Sequence, residues 1–265
     1  MDRIGLLDSG FLYLETREAP MHVAGLNLFE FPERVNQRKF MAQLGDSYRS
    51  TTELRKPFGH RVSHGMLGRL GPLYWEPDED MDLDYHVRHS ALPKPGRYRE
   101  LFALVGRLHS TLLDRSRPLW EVHLIEGLQN SQFAIYTKLH HATIDGVAGV
   151  RLTKASCSPD PDANTNLSPL SLEAHEIYKA QHGHTRDTDL EPSEFELKAI
   201  ADFFKEQFDT SAHFLGVIKH HAATWLGLGD GLTVPWRHVP HTVINTHVSA
   251  ARRFVAQSWS IDRVR

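Results

Sequence analysis

The residues whose types and spacing could support catalysis lie in one short stretch, KLHHATIDGVAG at 138–149. His140 and His141 stand side by side, and Asp145 and Gly146 follow them. A histidine titrates near neutral pH and can take a proton from a substrate hydroxyl as a general base. Adjacent residues of a strand point to opposite faces, so at most one of the two rings can face a given pocket. The spacing is therefore compatible with one basic and one supporting histidine.

Other interpretations compete with this one. In a chain of 18 histidines, a neighbouring pair can also be structural. A metal site is disfavoured because no third nitrogen or sulfur ligand has a matching spacing, and HRVSH at 60–64 and HVRH at 86–89 stand isolated. A covalent nucleophile is disfavoured because the chain has no GxSxG turn, and Cys157 lies in a polar stretch. From the residues alone, a structural pair and a general base both remain open.

The elements that would position the pair are a strand before it and a helix after it. Residues 131–141 carry apolar side chains on both alternating faces, which predicts a central strand. VAGVRLTKAS at 147–156 suits a short helix. Strand ends and the loops after them are where α/β sheets commonly carry their chemistry. Elsewhere the periodicity predicts strands near 21–31 and 120–124, and helices over 36–51 and 98–113.

The net charge, the cysteine count and the distribution of apolar residues exclude several classes of protein. A net charge of −3 and a pI near 6.6 argue against a nucleic-acid binder, which needs a concentrated basic surface. A single cysteine excludes an internal disulfide framework and agrees with a reducing compartment. Acidic residues near the start argue against a secretory signal, and no window approaches the ~20 apolar residues of a membrane span. We expect a cytoplasmic protein, soluble or peripheral to the inner membrane or lipid inclusions.

Composition divides the chain into four segments. Residues 1–155 contain the motif and the clearest strands and helices. Residues 156–193 are rich in Ser, Pro and Asp and predict a polar linker or loop, partly disordered. Residues 194–235 predict an amphipathic helical segment whose aromatic face could rest on lipid, although packing on its own domain is favoured because the polar face is mixed. Residues 236–265 alternate and predict strands that lead into a C-terminal domain beyond this chain.

With its surroundings, the histidine motif resembles a known family. HHATIDG at 140–146 matches the HHxxxDG signature of the CoA-dependent acyltransferase superfamily. HxxxD alone is unspecific, but LDSGFLYLETREAPMHVAGLNLFEF, LVGRLHSTLLDRSRPLWEVHLIEGL and FAIYTKLHHATIDGVAGVRL look like bacterial wax ester synthase/diacylglycerol acyltransferases. The resemblance covers 4–155 closely and 240–265 moderately. It implies an α/β fold of the α+β type, a chloramphenicol acetyltransferase-like mixed-sheet sandwich, with this chain as the N-terminal half of a two-domain enzyme.

The resemblance also implies roles for individual residues of the motif. His141 matches the general base of the family, and His140 would pack beneath it and help to set its orientation. Asp145 would form a salt bridge that holds the loop rather than a catalytic relay. Gly146 would let the turn come close to the substrate. Upstream, a triplet characteristic of the family is either structural, which we favour, or lines an acyl pocket: Pro118, Leu119 and Trp120.

The implied reaction is O-acyl transfer in wax ester or triacylglycerol synthesis. A long-chain acyl group would move from acyl-CoA, a co-substrate, to the hydroxyl of a fatty alcohol or diacylglycerol, and no metal or resident cofactor is expected. The C-terminal half of the same enzyme is an expected partner, and a membrane or lipid droplet is a further one. Two alternatives stay open: a non-catalytic or split half that binds lipid or a partner chain, and an HHxxxDG acyltransferase with a different acceptor.

Overall fold

The structure of the chain is a computed structural model, and it describes residues 1–51, 53–65, 71–144, 146–155, 157–158, 160, 168–182, 249–257 and 259–263. The elements that position the histidine motif all lie between residues 2 and 182. In chain order the described helices and strands are β1 (Asp2–Arg3), α1 (Leu6–Leu14), β2 (His22–Glu30), α2 (Gln37–Arg49), β3 (His60–His64), β4 (Leu73–Pro77), α3 (Leu83–His86), β5 (Val87–Ala91), α4 (Tyr98–His109), β6 (Trp120–Glu126), β7 (Gln132–His140), α5 (Gly146–Ala155) and α6 (Leu172–His182).

A four-stranded mixed sheet in the order β2-β7-β6-β5 carries the motif. β7 pairs antiparallel with β2 and β6, and β5 pairs parallel with β6. The register sets His22 opposite His140 at the end of β7. β7 is therefore central, as its two apolar faces predict. A second, antiparallel sheet in the order β1-β4-β3 lies apart from the first. The two sheets and the flanking helices confirm the α/β class.

The main sheet is covered on both faces. Val122 and Leu124 of β6 belong to a cluster that includes Met41 of α2 and the partly buried Leu152 of α5. On the opposite face Ile125 packs in a second cluster with helix α4 and the middle of β7. This three-layer arrangement buries alternate residues of β6 against different helices, which explains why β6 is buried on both faces.

The helices α2 and α4 form where the predicted periodicity places them. Asn36 caps α2 by accepting a hydrogen bond from the backbone N–H of Lys39 at 3.0 Å. In α4 the buried Leu101 and Val105 repeat at a spacing of four residues, which turns one face toward the sheet. Both helices are shorter than predicted by only a few residues at their ends. The predicted strands at 21–31, 120–124 and 131–141 and the helix after the Asp-Gly pair are confirmed as well.

A close backbone approach fixes the end of the loop before α4. Gly96 has φ +75, and a Cβ atom there would lie 1.9 Å from the carbonyl oxygen of Gly127. Gly127, in the loop between β6 and β7, also has a positive φ of +86. Only glycine accepts both the backbone angle and the contact at position 96.

The structure corrects the predicted loop over residues 156–193. Leu172–His182 form helix α6, 11 residues long. Ser171 begins the helix by accepting a hydrogen bond from the N–H of Ala174 at 3.1 Å, and Leu170 is fully buried beside it. The chain is also tied back to residue 53, because the N–H of Leu172 donates to the carbonyl of Glu53 at 3.0 Å. Buried anchors thus stabilise a helix in a segment whose composition predicts a loop.

The predicted strands over 236–265 are wrong for the residues that the structure describes there. Residues 249–257 and 259–263 contain no strand, and Ile261–Arg263 form a 3-10 helix. The N–H of Arg252 donates to Ser110 Oγ at 3.3 Å, and the Phe254 ring packs on Phe102 of α4 at 5.1 Å. The segment 249–257 therefore packs on helix α4 rather than pairing in a sheet. The predicted helical segment at 194–235 lies outside the described residues.

Candidate active site

The two histidines of the motif lie where β7 ends, between the starts of its two neighbouring strands. The N–H of His140 donates to the carbonyl of Leu119 at 3.0 Å, just before β6. The N–H of His141 donates to the carbonyl of Met21 at 2.8 Å, just before β2. Both backbone positions are therefore fixed by the sheet. The side chains diverge, since His140 is completely buried whereas His141 is half-buried.

The ring of His140 holds the backbone of the turn that follows it. Its Nδ1 accepts a hydrogen bond from the N–H of Ala142 at 3.0 Å, so the proton of the neutral ring must lie on Nε2. Nε2 faces the carboxylate of Glu15, with 3.6 Å between Nε2 and Oε1. The carbonyl of His140 also accepts from the N–H and the hydroxyl of Thr143, at 2.9 and 2.7 Å. These contacts close a tight turn over residues 140–143, which contains His141.

Glu15, which ends helix α1, is a site residue that sequence reasoning missed. Its side chain is 1% exposed, and its carboxylate accepts hydrogen bonds from the N–H of Met21 at 3.0 Å and from Arg115 at 3.2 Å. Burial raises the pKa of Glu15, but His140, Met21 and Arg115 outweigh it and bring the pKa down to about 2. The carboxylate is therefore ionised at neutral pH. No spacing signal could reveal it, because two of its partners, Arg115 and His140, lie more than 90 positions away in the sequence.

The ring of His141 lies on the opposite side of the strand end. It stacks on the Phe11 ring of α1, with centroids 4.3 Å apart and 27° between the planes. Its Nδ1 is buried, and within the described part of the chain no group forms a hydrogen bond with it. Because the ring as a whole is half-buried, Nε2 is the nitrogen that a substrate can approach.

The remaining residues of the motif differ in what the structure describes. Asp145 lies outside the described residues. Gly146 opens helix α5 and is exposed, and a Cβ atom built on it meets nothing within 4 Å. The described chain thus does not itself require glycine at this position. The expectation that Gly146 makes room for a substrate stays a prediction.

The triplet before β6 is buried throughout. Trp120 is 1% exposed, donates from Nε1 to the carbonyl of Phe58 at 2.7 Å, and stacks on the ring of His86 at 4.5 Å. Leu119 packs in a cluster that includes Ala142 of the turn after His141. Pro118 is buried beside them. These contacts favour a structural role for the triplet, and a role in lining an acyl pocket stays a prediction.

A second buried polar cluster lies on the face of the main sheet that α4 covers. The Nζ of Lys138 donates to the carbonyls of Leu108 and Thr111 at 3.1 and 2.9 Å, and it lies 3.4 Å from Glu121. Glu121 also accepts from His123 at 3.1 Å. Burial lowers the pKa of Lys138, against the opposing effect of Glu121. The cluster fixes the end of α4 through the two carbonyls that Lys138 binds.

A sequence model described as the wax ester synthase/diacylglycerol acyltransferase catalytic domain matches residues 4–265. The chain belongs to this family. The match covers the histidine motif, β6 and the segment 249–263, so the resemblance predicted from the sequence is confirmed.

Individual proteins of the family show how similar the chain is to its relatives and how much of their length it matches. It is 35% identical to the O-acyltransferase WSD of Acinetobacter baylyi, across 98% of this chain and 53% of that protein. It is 39% identical to a Mycobacterium tuberculosis protein named probable diacylglycerol O-acyltransferase Tgs2, across 100% of this chain and 55% of that protein. The chain spans about half the length of the curated relatives it matches.

A solved structure of the same family supports the fold. The wax ester synthase/diacylglycerol acyltransferase of Marinobacter aquaeolei VT8 superposes with a TM-score of 0.60 at 47% identity, covering 65% of this chain and 41% of that one. The matched part of the chain thus shares its fold with a solved member of the family.

Two further observations concern the described residues of this family member. No group of three His, Cys, Asp or Glu side chains among them could hold a metal ion. His60 and His64 lie on strand β3, where four residues span about 13 Å, so the two rings are too far apart to bind the same metal ion.

Among the described helices, none is both long and apolar enough to cross a bilayer.

Proposed function

We propose that this chain carries the catalytic base of an O-acyltransferase. The enzyme moves a long-chain acyl group from acyl-CoA to the hydroxyl of a fatty alcohol or a diacylglycerol. The proposal is carried by the position of His141, whose backbone is held between two strands while the residue, its ring stacked on Phe11, stays partly exposed. Family membership and the names of the relatives support the same chemistry.

In this mechanism Nε2 of His141 takes the proton of the acceptor hydroxyl. The oxygen attacks the thioester carbonyl of acyl-CoA and forms a tetrahedral intermediate. When the C–S bond breaks, the imidazolium returns its proton to the thiolate of CoA, and the ester remains. No acyl-enzyme forms, so both substrates must be bound at once, and juxtaposing them supplies part of the rate. Asp145 keeps its predicted role of holding the loop by a salt bridge.

Release of free CoA from palmitoyl-CoA tests the proposal. Vesicles supply hexadecanol in one arm and dioleoylglycerol in the other, which separates the two acceptors. His141→Ala should lower kcat by about 10²–10⁴-fold, the usual contribution of a general base. His64→Ala, an exposed histidine on β3, is the matched control and should keep its activity. Turnover by His141→Ala equal to that of the unchanged chain would contradict the assignment of the base.

The length of the chain decides how the assay is run. Because the chain spans about half the length of its curated relatives, activity is measured on the 265-residue chain alone and on the chain together with any polypeptide that co-purifies with it. Activity that appears only when a second polypeptide co-purifies would favour the split-enzyme alternative. Co-sedimentation with the substrate vesicles checks the peripheral lipid association that these substrates imply.

A further inference from the structure

We propose that Glu15 is a positioning residue that holds His141 in place through three separate routes. The inference rests on the proposed function, because it takes His141 as the base. Glu15 itself touches no substrate-facing atom of His141. Its buried carboxylate and its backbone instead contact the three groups that fix the backbone and the ring of that histidine.

The first route passes through His140. The ring of His140 receives the N–H of Ala142 on Nδ1, so its Nε2 carries a proton and faces Oε1 of Glu15 at 3.6 Å. This separation is longer than a hydrogen bond, and the attraction is electrostatic in a fully buried setting. The carboxylate therefore favours the tautomer that leaves Nδ1 free to accept. That acceptor anchors the residue directly after His141.

The second route passes through the backbone of Met21. The N–H of Met21 donates to Oε1 of Glu15 at 3.0 Å, and the carbonyl of Met21 accepts the N–H of His141 at 2.8 Å. One residue just before β2 thus connects the carboxylate to the backbone of the base. A shift of Glu15 would move Met21 and, with it, the hydrogen bond that fixes His141.

The third route passes through helix α1. The backbone N–H of Glu15 donates to the carbonyl of Phe11 at 3.1 Å, which ends the helix. Phe11 is the residue whose ring stacks on His141. Arg115 binds both Oε2 of Glu15 and the carbonyl of Leu12, so the same pair holds the end of the helix against the site. The orientation of the imidazole ring therefore depends on where Glu15 fixes α1.

The chemistry of these contacts requires a carboxylate at position 15. The groups that face the side chain are all hydrogen-bond donors: the N–H of Met21, the guanidinium of Arg115 and Nε2–H of His140. A glutamine of the same shape would turn an NH₂ group toward at least one of them. Donor would then face donor in a buried site, which costs a hydrogen bond and forces the neighbours apart.

Glu15→Gln, with Glu121→Gln as a matched control, tests the inference. Both residues are buried carboxylates surrounded by donors, but Glu121 contacts Lys138, His123 and Arg88, away from the His141 turn. In the full polypeptide, Glu15→Gln should lower kcat by roughly 10- to 100-fold with KM for palmitoyl-CoA unchanged, because a displaced base weakens the chemical step rather than binding. Glu121→Gln should leave kcat unchanged at temperatures where it is folded.

A second measurement needs no substrate. Imidazole NMR signals of His141, assigned by their loss in His141→Ala, should shift in Glu15→Gln because the ring moves relative to Phe11. They should stay in place in Glu121→Gln. If no acyl-CoA is turned over even by the unchanged chain, the proposed function fails, and the NMR comparison alone decides the positioning role. Unshifted His141 signals in Glu15→Gln, or equal shifts in both variants, would overturn the inference.

Discussion

Two histidines on the α4 side of the main sheet, His22 and His109, have lowered pKa values. His22 donates from Nε2 to the carbonyl of His109 at 2.9 Å, and the two rings meet edge to face at 4.7 Å. Burial, and after it the charge of Lys138, lowers the pKa of His22 to about 4. Burial also lowers the pKa of His109. Both rings are therefore neutral in the folded chain at neutral pH.

Replacing His22 should weaken the sensitivity of the fold to acid. The folded pKa lies below the unfolded value near 6.5, so the unfolded chain binds the proton first, and stability is lost as pH falls from 6.5 toward 4. His22 contributes about 1 kcal/mol per pH unit within that window. His22→Gln should remove one such contribution. Urea unfolding at pH 7.5, 6 and 5 measures the slope, and equal slopes in both proteins would contradict the expectation.

At the scale of single residues, the sequence predicts the face of a strand on which a side chain lies better than it predicts the partners of that side chain. Strand alternation predicts that His140 and His141 diverge, and the structure confirms that geometry. The same alternation places Lys138 on a face of β7 with Ala134 and Tyr136 but cannot reveal its carbonyl partners. Glu15 is invisible for the same reason, because a single acid in FLYLET has no periodic signature. Buried polar partners depend on tertiary contacts, which no local pattern encodes.

Helix α4 depends on the sheet for its last turn. The final carbonyls of a helix have no partner within the helix, and here Lys138 of β7 supplies donors to Leu108 and to Thr111 just beyond it. The donor itself is completely buried. The end of the helix is thereby fixed to the strand that carries the histidine pair.

Lys138→Met should destabilise the fold by about 3 kcal/mol, because it removes the ammonium donor of two backbone carbonyls and leaves the buried Glu121 without one of its cations. Methionine keeps the apolar part of the lysine side chain, so the decrease in the free energy of unfolding measures the contribution of the ammonium group. The free energy of unfolding in urea measures it. Lys39→Met on the exposed face of α2 is the control and should change that free energy by less than about 0.5 kcal/mol. A similar small change in Lys138→Met would contradict the capping role.

At the scale of elements, strong periodicity predicts correctly and weak periodicity does not. α4 and β7 follow from their apolar patterns, whereas α1 and α6 were not predicted. α6 lies in a polar segment and is stabilised by buried anchors at Leu170 and Ala174. The residues at 249–257 alternate like a strand but find no strand partner and pack on α4. Alternation predicts an extended chain, and tertiary contacts decide whether it joins a sheet.

For the whole molecule, the segment 249–257 connects distant parts of the chain. Its Arg252 donates to the carbonyl of Glu18 at 2.9 Å and, through the backbone, to Ser110. A Cβ atom on Gly106 would lie 3.3 Å from the carbonyl oxygen of Arg252. Glycine at this helix position therefore lets the segment lie close against α4.

Gly106→Leu should displace the segment while leaving α4 intact. Leucine has a helix propensity about 1 kcal/mol more favourable than that of glycine, which offsets part of the packing energy lost. The displacement of segment 249–257 should therefore be larger than the change in the free energy of unfolding. Hydrogen exchange of the amides in 249–257 should speed up by at least tenfold. Ala103→Leu, on the exposed side of the same helix, is the control. Unchanged exchange in Gly106→Leu would show that the close approach does not hold the segment.

The contact of segment 249–257 with α4 also has a consequence for the synthesis of the chain. Ser110 and Arg252 are 142 positions apart, and a ribosome adding about 5–20 residues per second needs roughly 7–28 s to cover that interval. Throughout that time the patch of α4 around Phe102 and Gly106 has been synthesised but not yet covered. An apolar helix surface that stays exposed on a nascent chain for several seconds is a surface that chaperones can bind. The contact between Ser110 and Arg252 therefore forms only after the 142 positions between them have been synthesised.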